Sequence, residues 1–330
     1  MKNIVIIGGG TGTLTLLKGL RSFPTNNSVI VSTADDGGST GRLRKELGVM
    51  PPGDLRQCLL GLSFTDPLLQ KLFSYRFDRG SLLGHTVGNI IIAGLEKITG
   101  NVEEALKLCA KLLNVRGQVV PVMLTSTKLS AMLENGKHII GEHHIDEPRH
   151  NGNLKIVAMK ISPSGPANHR AIRLIQDADA IVFGPGDLYT STLPNILVRG
   201  MADAIRSSKA HKILITNIMT KFGQTNGFTT SDFLTTLNHY LCSFNGKDGI
   251  DTMVVNTKKP TAVLLKKYRS GKAEFVAPDV DELKKKGVRV IASDFIANGT
   301  VKKVKGDSLQ RSILRHDSEK IAKAIFDCVR

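Results

Sequence analysis

Short β-branched runs, each followed by a longer stretch with helical spacing of apolar residues, recur along this chain from its first residues almost to its last. Such alternation leaves few folds open beyond parallel βαβ units. The clearest strands are Ile4–Ile7, Val29–Thr33, Val119–Leu124, Ala180–Phe183, Lys212–Thr216, Thr252–Val255 and Val288–Ala292. Several are apolar at every position, as expected of strands covered on both faces. Helical faces follow most of them: Leu14, Leu17 and Leu20; Val102, Ala105, Leu106, Leu108 and Ala110; and, near the end, Ile321, Ala324 and Ile325.

Residues 118–168 break the pattern. They carry strand-like pieces at His138–Ile140 and Met159–Ile161, an acidic and histidine-rich turn from Glu142 to His150, and Pro163 with Pro166. This reads as a β-rich excursion from the main sheet, with no linker around it. The expectation is one domain over residues 1–330: an α/β, Rossmann-like three-layer fold with a mostly parallel sheet.

Three strand ends share one design, in which glycine or small polar residues turn the chain into a helix. That geometry presents unpaired backbone N–H groups and the positive end of a helix dipole, which together hold phosphate. The first is Gly8-Gly9-Gly10-Thr11-Gly12-Thr13. It has the G-x-G spacing of a dinucleotide fingerprint, but Thr13 stands where the third glycine would be. The second is Asp35-Asp36-Gly37-Gly38-Ser39-Thr40-Gly41-Arg42-Leu43-Arg44, whose carboxylates suit a ribose or a divalent cation and whose arginines suit a phosphate. The third is Gly184-Pro185-Gly186-Asp187-Leu188-Tyr189-Thr190-Ser191, a second anion site across a shared crevice. A further strand end supplies Asn217 and Thr220 to read a base or sugar. Ligands sit at the carboxyl ends of strands in open α/β sheets, so these turns should converge.

Two more blocks are candidates. In Pro51-Pro52-Gly53-Asp54-Leu55-Arg56, Asp54 is a natural N-cap; in Gly84-His85-Thr86-Val87-Gly88-Asn89, His85 and Asn89 lie four apart, on one helix face. His143, His144 and His150 match no standard zinc spacing and read as a surface turn. Ser318 is placed to start the last helix.

Composition narrows the partners. The formal charge is +16, and from residue 258 to 330 there are 18 Lys or Arg against 9 Asp or Glu. That excess favours phosphorylated ligands or acidic proteins. Nucleic acid is a weaker fit, since the chain has no Trp, few aromatics to stack bases, and no recognised nucleic-acid motif. No apolar run reaches the roughly 18 to 20 residues of a membrane span. Cys58, Cys109, Cys242 and Cys328 are scattered with no CxxC pair, which fits a reducing cytoplasm.

Taken in order, the Gly8–Gly12, Ala34–Arg44, Pro51–Arg56, Gly84–Asn89 and Gly184–Ser191 blocks, with Leu314-Arg315-His316-Asp317, resemble the YvcK branch of the CofD-like family across nearly the whole chain. The resemblance implies a cytoplasmic bacterial gluconeogenesis factor that binds UDP-sugars and is needed for normal cell shape on gluconeogenic carbon sources. It implies cell-wall synthesis proteins as partners; a homo-oligomer stays open. The related CofD enzymes transfer 2-phospho-lactate from a nucleotide diphosphate donor to a deazaflavin with Mg²⁺, and their acidic positions correspond here to Asp36 and Asp54. Where those enzymes have a deazaflavin pocket, this chain has Gly37-Gly38-Ser39-Thr40-Gly41-Arg42.

Three functions therefore compete. A nucleotide-sugar binder would hold its diphosphate on Gly9, Gly10, Thr11, Gly12 and Thr13, with Gly184, Gly186, Tyr189, Asn89 and Arg42 around it. Asn217, Thr220 and Asp36 would then read ribose, base or sugar, and Arg315 would add charge. A CofD-like transferase would use Asp36 and Asp54 as catalytic, Mg²⁺-holding residues. A nicotinamide-dependent oxidoreductase fits least, although NAD, with the same pyrophosphate, is a candidate occupant of the cleft.

Overall fold

The computed structural model describes residues 1–241, 249–301, 305–307 and 312–330. Ten strands are formed: β1 (Lys2–Ile7), β2 (Thr25–Val31), β3 (Gln118–Pro121), β4 (Lys128–Leu133), β5 (His138–Ile140), β6 (Ile156–Ser162), β7 (Ala180–Phe183), β8 (His211–Ile215), β9 (Thr252–Asn256) and β10 (Arg289–Ser293). Seven of them build one sheet, in the order β10-β9-β8-β7-β1-β2-β3. Each neighbouring pair is parallel.

Alternation along these strands makes two cores. Val5, Ile7, Ile30, Val120, Ile181 and Phe183 face one side, whereas Ile4, Ile6, Val29, Val31, Ala180 and Val182 face the other. With period two, a strand apolar at every position must be covered on both faces, and helices supply the cover. The first helix, α1 (Gly10–Leu20), and the C-terminal helix Ser318–Val329 lie together on the second face, where Gly19 comes so close to Ser318 that a Cβ would meet its carbonyl oxygen at 1.9 Å. The chain steps outward from β1 through β2 to β3, then returns to place β7 on the other side of β1. That reversal opens a crevice at the carboxyl ends of β1 and β7.

The excursion is narrower than the sequence pattern suggested. Gln118–Pro121 belongs to the main sheet as its edge strand, and the separate part is the antiparallel sheet β5-β4-β6. Lys128–Leu133 carries a weak strand signal, because its Lys and Ala have little β preference. Leu129, Ala131 and Leu133 alternate inward and join the same core as Val5 and Phe183.

Ser318 starts the last helix as expected, whereas the expected cap at Asp54 is corrected. The last helix is capped by Asp317, whose carboxylate accepts from Glu319 and Lys320 N–H, and Ser318 is its first residue. The helix Pro52–Leu62 starts after Pro51, so Asp54 lies in its first turn and its side chain points elsewhere. The Lys284–Lys286 run sits at an exposed helix end, with Lys284 and Lys285 paired to Asp281 and Glu282 one turn back. Cys58, Cys109 and Cys328 are free thiols; Cys242 lies outside the described residues. No helix among the described residues is long and apolar enough to cross a membrane.

Candidate functional site

The first and third glycine turns meet backbone to backbone. Gly8 N–H donates to Ile30 O at 3.2 Å, and Gly184 N–H to Ile7 O at 3.2 Å. A Cβ on Gly12 would lie 2.1 Å from Pro185 O, and one on Gly186 would lie 3.7 Å from Gly9 O. The Gly12 contact leaves no room for a side chain, and it sets the head of α1 against the Gly184–Asp187 turn. No side chain caps α1 at Gly9. Above this junction opens a cavity of about 840 Å³.

Its wall takes in Gly9, Gly10, Thr11, Gly12, Asp54, Asn89, Gly186, Asn217, Thr220 and Arg315 from the expected set. The other expected residues do not line it. Thr13 is wholly buried beneath the Gly8 turn. Gly184 supplies the bend, with φ +78°. Tyr189 is 4 % exposed and stacks edge-on against Phe228, at 6.5 Å between ring centres. Arg42 donates to Leu83 O, and so braces the loop before His85.

The acidic residue at the end of β2 is corrected by one position. Asp35 lines the cavity, whereas Asp36 turns toward the small sheet and accepts the His143 backbone N–H at 2.8 Å. Arg44 fixes this turn by donating to the carbonyls of Ala34 and Asp35, both at 3.3 Å. Asp35 thereby packs beside Gly53, and burial together with Asp54 pushes its carboxyl up to about 7. Two interacting carboxylates in a part-buried cavity wall are a chemically suitable pair for a divalent cation, which would relieve their repulsion. Among the described residues no cluster of three or more His, Cys, Asp or Glu is placed to hold a metal.

The helices that follow are α2 (Gly38–Leu47), α3 (Pro52–Leu62), α4 (Pro67–Ser74), α5 (Val87–Thr99), α6 (Val102–Leu112) and α7 (Glu142–Asp146), of which α2, α3, α5 and α7 reach the cavity. His85 and Asn89 do not share a helix face, because α5 begins at Val87 behind its cap Thr86. They meet instead through Ser39 of α2. Ser39 Oγ and His85 Nδ1 are 2.9 Å apart, Asn89 Nδ2 donates to Ser39 Oγ at 3.1 Å, and Arg56 Nε donates to Asn89 Oδ1 at 2.8 Å. All four side chains are buried, so this network joins three motif blocks that are far apart in sequence. Burial and the nearby Arg42 lower the His85 pKa.

The wall also contains residues that pattern alone did not single out. Instead of forming a surface turn, α7 presents Glu142, His143 and Asp146 to the cavity. Lys221 bridges Asp146 and Asp187, the latter at 2.7 Å. Burial opposes its charge, but the two carboxylates outweigh that and raise its pKa. Gln57 and Tyr268 line the cavity as well. Gln57 lies one helical turn past Asp54, which is the one signal that spacing could have supplied. His316 is buried at the same wall, and burial pushes its pKa down to about 4.

Comparison with known proteins agrees with this architecture. The family described as 2-phospho-L-lactate transferase CofD matches residues 4–296. A protein named gluconeogenesis factor from Halalkalibacterium halodurans is 40% identical over 327 residues, covering 99% of this chain and 96% of that protein. Another of that name, from Bacillus subtilis, is 38% identical over 329 residues, covering 99% and 98%. A crystal structure of a UPF0052 family member from Bacillus halodurans superposes with a TM-score of 0.89 at 39% identity, covering 98% of each chain.

Proposed function

The chain belongs to the CofD family, and from that premise we propose that it is a gluconeogenesis factor that binds a nucleoside diphosphate sugar of the UDP-sugar class and thereby supports normal cell shape on gluconeogenic carbon sources. The carrying observation is the backbone junction of Gly9–Gly12 with Gly186 at one cavity. Amide N–H groups at the uncapped head of α1 are donors for a pyrophosphate. Tyr268 gives that cavity a flat ring for a base, and Asn217 and Thr220 give it polar edges. The gluconeogenesis-factor names of the two bacterial relatives support the physiological part of this reading. Action in the cytoplasm through cell-wall synthesis proteins belongs to the same proposal. Titration of the purified protein with UDP-N-acetylglucosamine should show saturable binding that Gly9→Ala weakens; absence of saturation rules the reading out.

The Asp35 and Asp54 pair favours one second reading, a Mg²⁺-dependent transferase using a nucleotide diphosphate donor. These two carboxylates would hold the ion, which supplies charge neutralisation for the leaving diphosphate. Incubation with UDP-N-acetylglucosamine and Mg²⁺ should then release a nucleotide product that Asp54→Asn no longer forms, and a donor that stays intact excludes turnover.

A further inference from the structure

From Thr252 to Ala273 the chain carries six Lys or Arg and no Asp or Glu. This stretch contains the helix Ala262–Ser270, which Thr261 caps by accepting the Leu264 N–H. Leu264, Leu265 and Tyr268 share one face of it and pack on Ile218, Met219 and Leu314. Tyr268 Oη also accepts the Leu314 N–H at 2.9 Å, which ties the helix to the C-terminal segment. The apolar face of the helix is therefore spent inside the protein, yet none of its residues is fully buried.

Several cations elsewhere are matched by a carboxylate one helical turn away: Lys107 by Glu104, Lys285 by Glu282 and Lys323 by Asp327. Around this helix the matching stops. Lys258 meets Asp294 at 2.8 Å, Lys272 lies 4.6 Å over the Phe222 ring, and Lys267 lines the cavity. Lys259, Lys266 and Arg269 are exposed and form no ion pair among the described residues. Lys266 and Arg269, three apart on the helix, repel each other. Val263, one turn before Lys266, is 68 % exposed.

An open valine beside unmatched cations has the make-up of a protein interface, an apolar contact with a charged rim. A phosphodiester backbone would use the cations but not the valine, and the helix offers no exposed aromatic ring to stack a base. A bilayer surface needs a broad apolar face to enter it, and here that face is already packed. We infer that the outer face of the Ala262–Ser270 helix docks an acidic protein segment, whose carboxylates meet Lys259, Lys266 and Arg269 and whose apolar side chain covers Val263. Lys267 and Tyr268 of the same helix line the cavity, so the docked segment lies beside the site without entering it. The inference is independent of what the cavity binds.

Fluorescence anisotropy at low ionic strength, with a rhodamine-labelled glutamate octapeptide carrying one central leucine, tests it. The full chain should bind this peptide saturably. Combining Lys259→Glu, Lys266→Glu and Arg269→Glu should weaken binding at least about tenfold, and Val263→Ser about threefold. Combining Lys107→Glu, Lys285→Glu and Lys323→Glu alters the net charge equally at paired positions and should leave the affinity within about twofold. Should the first triple variant fail to fold by circular dichroism, Lys259→Gln with Lys266→Gln takes its place, with a loss of about threefold. Saturating UDP-N-acetylglucosamine should not displace the peptide. Absence of saturation, equal weakening by both triple variants, displacement by the nucleotide sugar, or tighter binding of duplex DNA or phosphatidylglycerol vesicles of matched charge overturns the docking surface.

Discussion

The carboxylate of Asp54 lies over the α-carbon of Gly9: a Cβ built on Gly9 would stand 2.1 Å from Asp54 Oδ2. Asp54 thus sets a negative charge beside the positive end of α1, where an anion would bind. A bare phosphate arriving there meets repulsion as well as attraction, and Gly9 keeps the two within reach of one another.

Two glycines in the same loop should therefore fail in different ways. Gly9 is extended, with φ −161°, so alanine there costs little in backbone strain and only displaces the Asp54 side chain. Gly9→Ala should retain the fold and lower affinity for UDP-N-acetylglucosamine by about tenfold or more, through loss of close approach. Gly12→Ala drives a methyl into the Pro185 carbonyl, which is backbone and cannot swing aside, so it should destabilise by about 1–3 kcal/mol. Urea denaturation and calorimetry on both proteins check the contrast; equal effects on stability refute it.

Asp35 makes stability depend on pH. Its folded pKa is raised to about 7 by burial and by Asp54, above the value of about 3.9 in an unfolded chain. Its stabilising contribution is thus complete below pH ~4 and is lost as pH rises through ~7. Asp35→Asn should melt at a higher temperature than the wild type at pH 8 and lose that advantage toward pH 4. Three pKa units bound the effect at about 4 kcal/mol. Parallel melting curves across this range would count against the placement of Asp35.

His316 acts in the opposite direction. Burial depresses its pKa to about 4, so its contribution is present above pH ~6.5 and is lost as pH falls through ~4. His316→Gln cannot titrate and should lose less stability than the wild type between pH 6.5 and 4, by up to about 3 kcal/mol. Thermal melts in that window decide it.

Lys221 neutralises two carboxylates at the cavity wall. Lys221→Met leaves Asp146 and Asp187 uncompensated and should cost about 1–3 kcal/mol, less than for a fully buried pair because all three side chains are part-exposed and screened by solvent. Lys221→Met with Asp187→Asn should recover part of that loss. A double mutant no more stable than Lys221→Met shows that the three groups do not act together.

The sheet was legible because its information is local. Ala180–Phe183 shows four apolar residues bounded by turns, and burial on both faces is written into that run. The Gly8–Gly12 turn was legible for the same reason, since a tight strand-to-helix turn needs backbone freedom and little else. Lys128–Leu133 was not, because its strand character comes from pairing with Ile156–Ser162. Asp35 and Asp36 are chemically alike, so choosing between them required the position of α3 and of His143 N–H.

The order of apolar runs and glycine turns determined by itself that a parallel α/β sheet would form and that glycine turns leading into helices would stand at its strand ends. Which side chains share the cavity was decided only in three dimensions. Ser39, Arg56 and Asn89 meet through contacts between separate helices, and α7 reaches the cavity because the small sheet packs on the main core. Burial and charge coupling exist only once those elements are packed, and they raise the pKa of Asp35, Glu142 and Lys221 in a way that no sequence spacing encodes.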